Sequence, residues 1–442
     1  MLEMEIFLFV EGKEYLHKQY ENLVEQLDML NEVIKKNDGT FSFIITGFII
    51  VNNIPVVIFP KNYLLPDSDV KIKHEAMVLM RVLMKYRLEK GHDPKEMDLL
   101  YGNTVNSTGR IISAISLIED FQENGILKRK IRVDSSNHQG YIDWNATVNK
   151  TIPHISHKRP FYLKPIMRTS SVDDVNLLTQ IHKYAVKESL DLWGWLFGYD
   201  DEEMERIQLP YSVEMAISYL NAELRKTFIQ REIFVIKCLI DYLDSHSGQN
   251  KEKRFEVLAT PFFNMTWEAI CGYVYSNDYI NLAKWVAQPI WDSNVIKKNI
   301  SQRPDILFVD KSTFYILDAK YYDYNKTIPG WHDVVKQLFY KYTIEAKVKK
   351  SKELKVKKYE NVLIFPENSD LKFTYLGRIY VEGVVDLGEV NAFAINTKEA
   401  MEVYALGRLS DARTILGIEL CKTHEQNTIK RLSAYTETMQ GN

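Results

Sequence analysis

The chain has few cysteines and no long apolar run, and each of these absences excludes a class of protein. Only three cysteines occur among 442 residues, far apart and odd in number, so neither a disulfide framework nor a zinc knuckle is expected. This fits a reducing cytosol, and we expect a cytoplasmic protein. The sequence begins MLEMEIFLFV, with acids where a signal peptide carries basic residues. No apolar run reaches the roughly 18 residues of a membrane span, so no membrane partner is expected.

The charge balance leaves nucleic-acid binding open. A formal net charge of −3 means that any contact with DNA must come from local basic patches. The motif G-x-x-x-x-G-K-[ST] is missing, so we expect no nucleoside triphosphate in a P-loop. The length is too great for one hydrophobic core and predicts two or three domains.

We predict an α/β chain, α+β overall, in three segments. Residues 1–165 form an N-terminal α+β domain for DNA or partner recognition, residues 166–250 a helical connector, and residues 251–442 a C-terminal domain. The connector carries long helical patterns at 176–195 and 212–246, the second with few helix breakers.

The N-terminal segment reads as strands, two helices and a basic hairpin. Residues 41–60 predict two strands joined at Asn52 and Asn53. A buried helix at 74–88 precedes a helix capped by Ser107 and ended by Gly125. The strands ILKRKIRV and GYIDW would then pair around DSSNHQ. This order fits either a winged-helix DNA reader or an α+β scaffold with one cationic strand.

The most informative stretch is residues 303–323, RPDILFVDKSTFYILDAKYYD. Two runs of strand formers flank the turn-like DKST, which predicts a hairpin. With Val309 facing Phe314, counting outward places Asp305 opposite Asp318, and Lys320 on the same face.

Two carboxylates this close repel unless a cation intervenes. Mg²⁺, or Mn²⁺ in its place, prefers such oxygen ligands and keeps several waters. Lys320 would orient or deprotonate a bound water, or stabilise charge building on a phosphate. The alternative is that the acids and the lysine are solvated strand ends.

The segments on either side of the hairpin are predicted to form further helices and strands. A helix at 265–274 carries Glu268, residues 284–291 form a first strand, and the hairpin supplies two more. A helix at 330–346 and a strand at 361–366 follow. The predicted order is helix, three strands, helix, strand.

This αβββαβ order and these residues resemble the PD-(D/E)XK nuclease superfamily. The resemblance implies that Asp305 and Asp318 bind the metal, that Lys320 is the catalytic lysine, and that Glu268 is a further metal or water ligand. Gln337 matches a catalytic glutamine of the second helix in some branches. In those branches a tyrosine follows four residues later, where this chain has Lys341.

The combination ILDAKYY and DVVKQLFYKY is similar to LlaJI-type restriction endonucleases, relatives of the McrC nuclease subunit. That family implies a site-specific, type II-like deoxyribonuclease of a phage-defence restriction-modification system, which cuts double-stranded DNA. It also implies an AAA+ GTPase partner of the McrB kind. Two alternatives stay open: an McrC-like subunit that cuts only when such a partner activates it, and a repair or junction nuclease.

Two lysine-rich segments are candidates for binding the DNA backbone. Residues 341–358 contain eight lysines after the predicted glutamine helix, and KRKIR at 128–132 lies in the predicted basic strand. Cutting both strands would further suggest a homodimer. The candidate DNA-binding residues are Lys336, Lys347, Lys349, Lys350, Lys128, Arg129 and Lys130.

Overall fold

The structure is a computed structural model. It describes residues 6–27, 33–36, 38–52, 54–89, 110–135, 141–173, 176–198, 207–244, 255–290, 302–351, 353–368, 372–384 and 387–440. The chain forms two compact units, Met1–Asn103 with Phe255–Asn442, and Thr104–Arg254. These units divide the chain differently from the three predicted segments, because the N-terminal strands pair with a strand that lies beyond the second unit.

The described residues of the first unit form three sheets. A four-stranded sheet has the order β1-β6-β5-β12, a three-stranded one β2-β4-β3, and a five-stranded one β13-β14-β15-β17-β16. Their strands are β1 (Phe7–Val10), β2 (Tyr15–Leu16), β3 (Val33–Lys35), β4 (Thr40–Phe43), β5 (Thr46–Val51), β6 (Ile54–Phe59), β12 (Phe255–Thr260), β13 (Ile306–Asp310), β14 (Thr313–Ala319), β15 (Lys358–Glu367), β16 (Phe373–Tyr380) and β17 (Glu389–Asn396).

Helices of the first unit cover or flank these sheets. They are α1 (Glu21–Gln26), α2 (Asp69–Arg87), α8 (Phe263–Val274), α9 (Tyr279–Leu282), α10 (Trp331–Ser351), α11 (Thr397–Leu406) and α12 (Ala412–Gln440). The helices predicted at 74–88, 265–274 and 330–346 are confirmed.

The second unit, described by itself, holds two small sheets and five helices among its described residues. The strands β7 (Arg129–Ser135), β11 (Met167–Asp173) and β8 (Tyr141–Ile142) form one sheet, and β9 (His154–Ser156) and β10 (Arg159–Phe161) the other. The helices are α3 (Arg110–Asn124), α4 (Trp144–Lys150), α5 (Leu177–Phe197), α6 (Val213–Leu224) and α7 (Gln230–Asp244).

The N-terminal hairpin forms at the predicted turn, of which Asn53 lies outside the described residues, but the single strand predicted before it is two strands, β4 and β5, in different sheets. Val51 pairs with Ile54, and Asn52 takes the positive φ of 48° that the tight turn requires. The inward faces of these strands build a core rich in aromatic residues, in which Phe9, Phe41 and Phe43 are fully buried.

The C-terminal sheet is built around a parallel crossover. β14 pairs in parallel with β15, and α10 connects them. Tyr340, Ile344 and Val348 of α10 pack on β13 and β14, while Val334 and Leu338 pack on β15 and β17. Each such buried side chain contributes about 1.5–3 kcal/mol. The crossover fixes the end of β14 against the start of α10.

The first strand predicted for the nuclease core is wrong over the residues that the structure describes. Ala283–Trp285 form a 3₁₀ turn, and residues 286–290 take no regular structure. Trp285 and Val286 are instead buried in the cluster beneath α10. Pro289 also lacks the N–H that a central strand needs. The apolar pattern of this segment reflects core packing.

The predicted basic hairpin is also wrong in its pairing. β7 does not pair with β8, because β11 lies between them and pairs with both. The two helices of the predicted winged helix belong to different compact units, α2 to the first and α3 to the second. Gly125 ends α3 with a φ of +68°, as predicted, whereas Ser107 lies outside the described residues.

The long helical pattern at 212–246 is two helices, α6 and α7. The break spans residues 225–229, where Thr227 Oγ1 donates to Glu232 and accepts from the Ile229 backbone N–H. A threonine that bonds locally in this way competes with the helical hydrogen bonds. The helix predicted at 176–195 is confirmed by α5. None of the helices in the described ranges has the length and apolarity needed to cross a membrane.

We expect Gly47→Ala to destabilise the first unit strongly. Gly47 has a φ of +145°, and a Cβ there would lie 2.2 Å from the Leu258 carbonyl oxygen of β12. The β5–β12 pairing would have to open, at a cost on the order of 3 kcal/mol or more. Thermal unfolding measures the loss. Gly330→Ala is the control, since a Cβ there meets nothing within 4 Å, and an equal effect of the two changes would contradict the prediction.

Candidate active site

The hairpin of β13 and β14 brings the two predicted acids together. Val309 pairs with Phe314 and Ile306 with Leu317, which confirms the predicted register. The next step outward sets Asp305 opposite Asp318. The Ala319 backbone N–H donates to Asp305 Oδ2 at 2.9 Å, so Asp305 turns towards the end of β14. The loop is Lys311–Ser312, shorter than the predicted DKST, with Asp310 and Thr313 paired as strand residues.

Asn277 holds the backbone on which Asp305 stands. Its Nδ2 donates to the Asp305 carbonyl oxygen at 2.9 Å, and its Oδ1 accepts from the Leu307 N–H at 2.9 Å. Asn277 lies in the turn that follows α8, so the residue links the acid-bearing helix to the hairpin. No local pattern in the sequence predicts this contact.

Lys320 lies on the same face as Asp318, as the alternation along a strand predicts. Its Nζ is 2.6 Å from Asp318 Oδ2 and 2.7 Å from Asp333 Oδ1, and Asp318 is 3% exposed. Burial lowers the pKa of Lys320, but the two carboxylates outweigh it and raise that pKa above its ordinary value. The side chain is therefore an ammonium with two acidic partners.

Asp305 sits where negative charge accumulates. Burial, then the charges of Asp318 and Glu268, raise the pKa of Asp305 to about 7, against the weaker lowering effects of the Ala319 N–H and Lys336. Burial and Asp318 likewise raise the pKa of Glu268. The helix α8 thus carries Glu268 to the electrostatic neighbourhood of the hairpin acids, where the sequence predicted it.

Helix α10 contributes two residues to this cluster. Asp333 binds Lys320, and Lys336 Nζ lies 3.4 Å from Asp318 Oδ1 and 5.6 Å from the centre of the Tyr340 ring. Asp333 was not predicted. Its signal was present in the sequence, since it stands one helical turn before Lys336 and shares that face.

Gln337, predicted to be catalytic, is placed differently from the acids. It is 1% exposed, and its Nε2 donates to the backbone oxygens of Ile316 at 3.1 Å and Val362 at 3.5 Å. In turn, Asn361 Nδ2 donates to the Gln337 carbonyl oxygen at 2.9 Å. The side chain ties α10 to β14 and β15, so its bonds in this structure are structural.

The donor set suits a small hard cation bound by few protein ligands. Across the described ranges, no three His, Cys, Asp or Glu side chains are arranged to share one ion. Mg²⁺ needs only one or two carboxylates and keeps the rest of its shell as water. Burial, and then the nearby charges of Asp318 and Glu268, raise the pKa of Asp305, and a bound cation would offset both effects. Asp305 and Asp318 fit such an ion, and Glu268 does not join them as a third ligand here.

Some of the predicted DNA-binding residues are exposed, some are paired with acidic residues, and one has a side chain that lies outside the described part. Lys347 and Lys350 are exposed on α10, whereas Lys349 pairs with Glu345 at 2.6 Å. In the second unit, Arg129 is held by Glu223 and by Glu232, so its charge is taken up inside the protein. Lys128 is exposed, and the side chain of Lys130 lies outside the described part.

Three likenesses to known proteins bear on this chain. The chain matches the family described as LlaJI restriction endonuclease over residues 45–398. It is 27% identical over 342 residues to the "Type II restriction enzyme BsuMI component YdjA" of Bacillus subtilis strain 168, covering 72% of this chain and 70% of the relative.

The third likeness is to a solved structure. A chain in the "Refined half-complex from tetradecameric assembly of Thermococcus gammatolerans McrB AAA+ hexamers with bound McrC" is 14% identical, with a TM-score of 0.38. The alignment covers 91% of this chain and 98% of that one.

The family match includes both hairpin strands, Lys320 and the whole of α10 within its limits at residues 45 and 398. Because it covers most of the chain, the protein belongs to the LlaJI restriction endonuclease family, and its activity is that of a restriction-type nuclease.

Proposed function

We propose that the protein is a Mg²⁺-dependent endodeoxyribonuclease that hydrolyses phosphodiester bonds of double-stranded DNA at specific sites, as the nuclease of a phage-defence restriction-modification system. The observation that carries the proposal is the meeting of Asp305, Asp318 and Lys320 at one end of a hairpin. Membership of the LlaJI family supports the same chemistry.

Asp305 and Asp318 would hold the metal ion. When bound, Mg²⁺ supplies an activated water and offsets charge on the phosphate. The residues of the chain prepare the site for this. Burial of Asp318, together with the N–H of Ala319 on Asp305, fixes the direction of both carboxylates. Like charge held close in this way favours uptake of a cation.

Lys320 acts as a positive charge and hydrogen-bond donor. Asp318 and Asp333 keep its pKa high, so in this arrangement it is poorly suited to removing a proton from water. Its ammonium is suited to orienting the attacking water and to stabilising charge that develops on a phosphate oxygen. Of the roles predicted from sequence, these two are the ones that the contacts of Lys320 favour.

Backbone phosphates of DNA would lie along α10. Lys336 stands beside the acids, and Lys347 and Lys350 are exposed further along the same helix. Lysines at such positions neutralise phosphates without reading bases. Arg129 is not part of this surface, because Glu223 and Glu232 already bind its guanidinium.

A second candidate function is that of a nuclease subunit that cuts only with a partner. The relative in Bacillus subtilis is named a component of a restriction enzyme, which favours assembly with further chains. An AAA+ GTPase of the McrB kind is the partner that the sequence resemblance implies, and a homodimer would supply two active sites for double-strand cleavage.

Cleavage of plasmid DNA in Mg²⁺ tests the active site. We expect Asp305→Asn and Lys320→Ala to lower the cleavage rate about 100-fold or more, because each removes a group that acts on the reacting atoms. Asp310→Asn is the matched control, an aspartate at the opposite end of the same hairpin. Equal cleavage by wild type and all three variants would defeat the proposed enzyme function.

Thermal unfolding at two pH values tests the carboxylate cluster. The pKa of Asp305 is raised from its ordinary value of 3.8, which applies to the unfolded chain, to about 7 in the folded protein. Between these pH values the folded state binds a proton that the unfolded state does not bind. The protein therefore loses stability as the pH rises through this range. Without metal, we expect Asp305→Asn to be more stable than wild type at pH 8, by on the order of 1–4 kcal/mol, and to gain little at pH 4.

Mg²⁺ should raise the unfolding temperature of wild type at pH 8 and leave that of Asp305→Asn nearly unchanged. A difference between the two proteins that does not vary with pH would contradict the electrostatic account. Mg²⁺ that stabilises both proteins equally would contradict binding at Asp305.

The need for a partner can be tested directly. If the chain is a dependent subunit, adding an McrB-like GTPase with GTP should raise cleavage by at least about 10-fold, and GDP should not. A matched reaction with Lys320→Ala should stay inactive under every condition. Complete digestion by the isolated wild-type chain would rule out the dependent-subunit reading.

A further inference from the structure

A buried hydrogen-bond cluster joins the N-terminal sheet to the residue that follows Lys320. Tyr321 is 9% exposed, and its hydroxyl donates to Glu11 Oε2 at 2.8 Å. Glu11 follows β1 and is 7% exposed. Thr46 Oγ1, at the start of β5, donates to the same carboxylate oxygen at 2.7 Å. All these residues belong to the first unit.

Lys61 completes the cluster from the other side. Its backbone N–H donates to the Tyr321 hydroxyl oxygen at 2.7 Å, and its Nζ lies 3.4 Å from Glu11 Oε1. The same ammonium is 5.3 Å from the centre of the Tyr321 ring, and the Phe263 ring of α8 packs against that ring at 5.3 Å. The phenol is thus held by two hydrogen bonds and two ring contacts.

The state of the phenol is fixed by its surroundings. Burial, then the charge of Glu11, raise the pKa of Tyr321 well above its ordinary value. Burial therefore favours the protonated hydroxyl, which donates to Glu11. Glu11 is the acceptor to which that donor is directed.

Tyr321 directly follows Lys320 in the chain, so the cluster is connected to the candidate active site. Side chains alternate along an extended segment, so Tyr321 points away from the face that carries Lys320. The Lys320 backbone N–H still donates to the Ile364 oxygen of β15 at 2.8 Å. On one face the Lys320 ammonium contacts Asp318 and Asp333, and on the other face Tyr321 is held by its own partners.

We propose that Tyr321, bound to Glu11, is a positioning residue that sets the place of the Lys320 ammonium and makes catalysis depend on the N-terminal sheet. This rests on the proposed function of Lys320. A shift of about 1 Å in a catalytic group can lower a rate about 100-fold. Loss of the Tyr321–Glu11 bond therefore reduces the rate of the chemical step and leaves DNA affinity unchanged.

Tyr321→Phe tests the proposal in the full-length protein, because it removes the hydroxyl and keeps the ring between Phe263 and Lys61. The measured quantities are the single-turnover cleavage rate in Mg²⁺ and the dissociation constant for duplex DNA without Mg²⁺. We expect the rate to fall about 10-fold or more and the dissociation constant to change less than about 2-fold.

Tyr404→Phe is the matched control. Tyr404 is 1% exposed and donates its hydroxyl to Glu89 Oε1 at 2.5 Å, a bond between a buried tyrosine and an exposed glutamate of the same unit, with no contact to Lys320. It should leave the cleavage rate at the wild-type value. Equal rates in the two variants would overturn the proposal.

Substitutions of Glu11 provide a second, independent test of the proposal. Glu11→Gln keeps an oxygen that can accept from Tyr321, whereas Glu11→Ala removes it, so the glutamine variant should retain most of the rate that the alanine variant loses. If both cut as fast as wild type, the positioning role is wrong while the nuclease function stands. If wild type itself fails to cut under all conditions, the failure belongs to the proposed function.

Discussion

The pairing of β13 with β14 is the interaction on which the candidate site depends. Its register sets Asp305 opposite Asp318, and a slip by one residue would send Asp318 and Lys320 to the other face of the sheet. The two-residue turn, with a φ of 52° at Lys311, and the stacked rings of Phe308 and Tyr315 at 4.5 Å hold that register. Local packing at one end of the hairpin thus determines the chemistry at the other.

Two adjacent residues of helix α10 support the site in different ways. Lys336 faces the acids, while Gln337 inserts between β14 and β15 and bonds to their backbones. A buried amide left without partners costs about 1–3 kcal/mol, so these bonds strongly specify how the helix lies on the sheet. The placement of Asp333 and Lys336 beside Asp318 follows from that docking.

The sequence predicted those features that depend on short-range patterns. Period-two alternation placed Lys320 on the face of Asp318, and the turn chemistry at Asn52 predicted the N-terminal hairpin. The predicted strand at 284–291 failed because an apolar run has the same pattern in a strand and in an irregular core segment such as that at Trp285. Gln337 shows the same limit, since its type and spacing do not tell whether its amide meets an acid or a strand backbone.

Contacts between distant segments had no local signal at all. The bond between Glu11 and Tyr321 joins residues 310 positions apart, and only the assembled sheets bring them together. Asp333 also meets its partner Lys320 across the crossover, although its spacing from Lys336 in the sequence places both residues on one face of α10. Because Asp333 comes from α10 and not from the hairpin, Lys320 keeps one carboxylate partner when Asp318 is engaged elsewhere. The lysine is therefore held by three separate parts of the fold, namely the hairpin, the helix and, through its neighbour Tyr321, the N-terminal sheet.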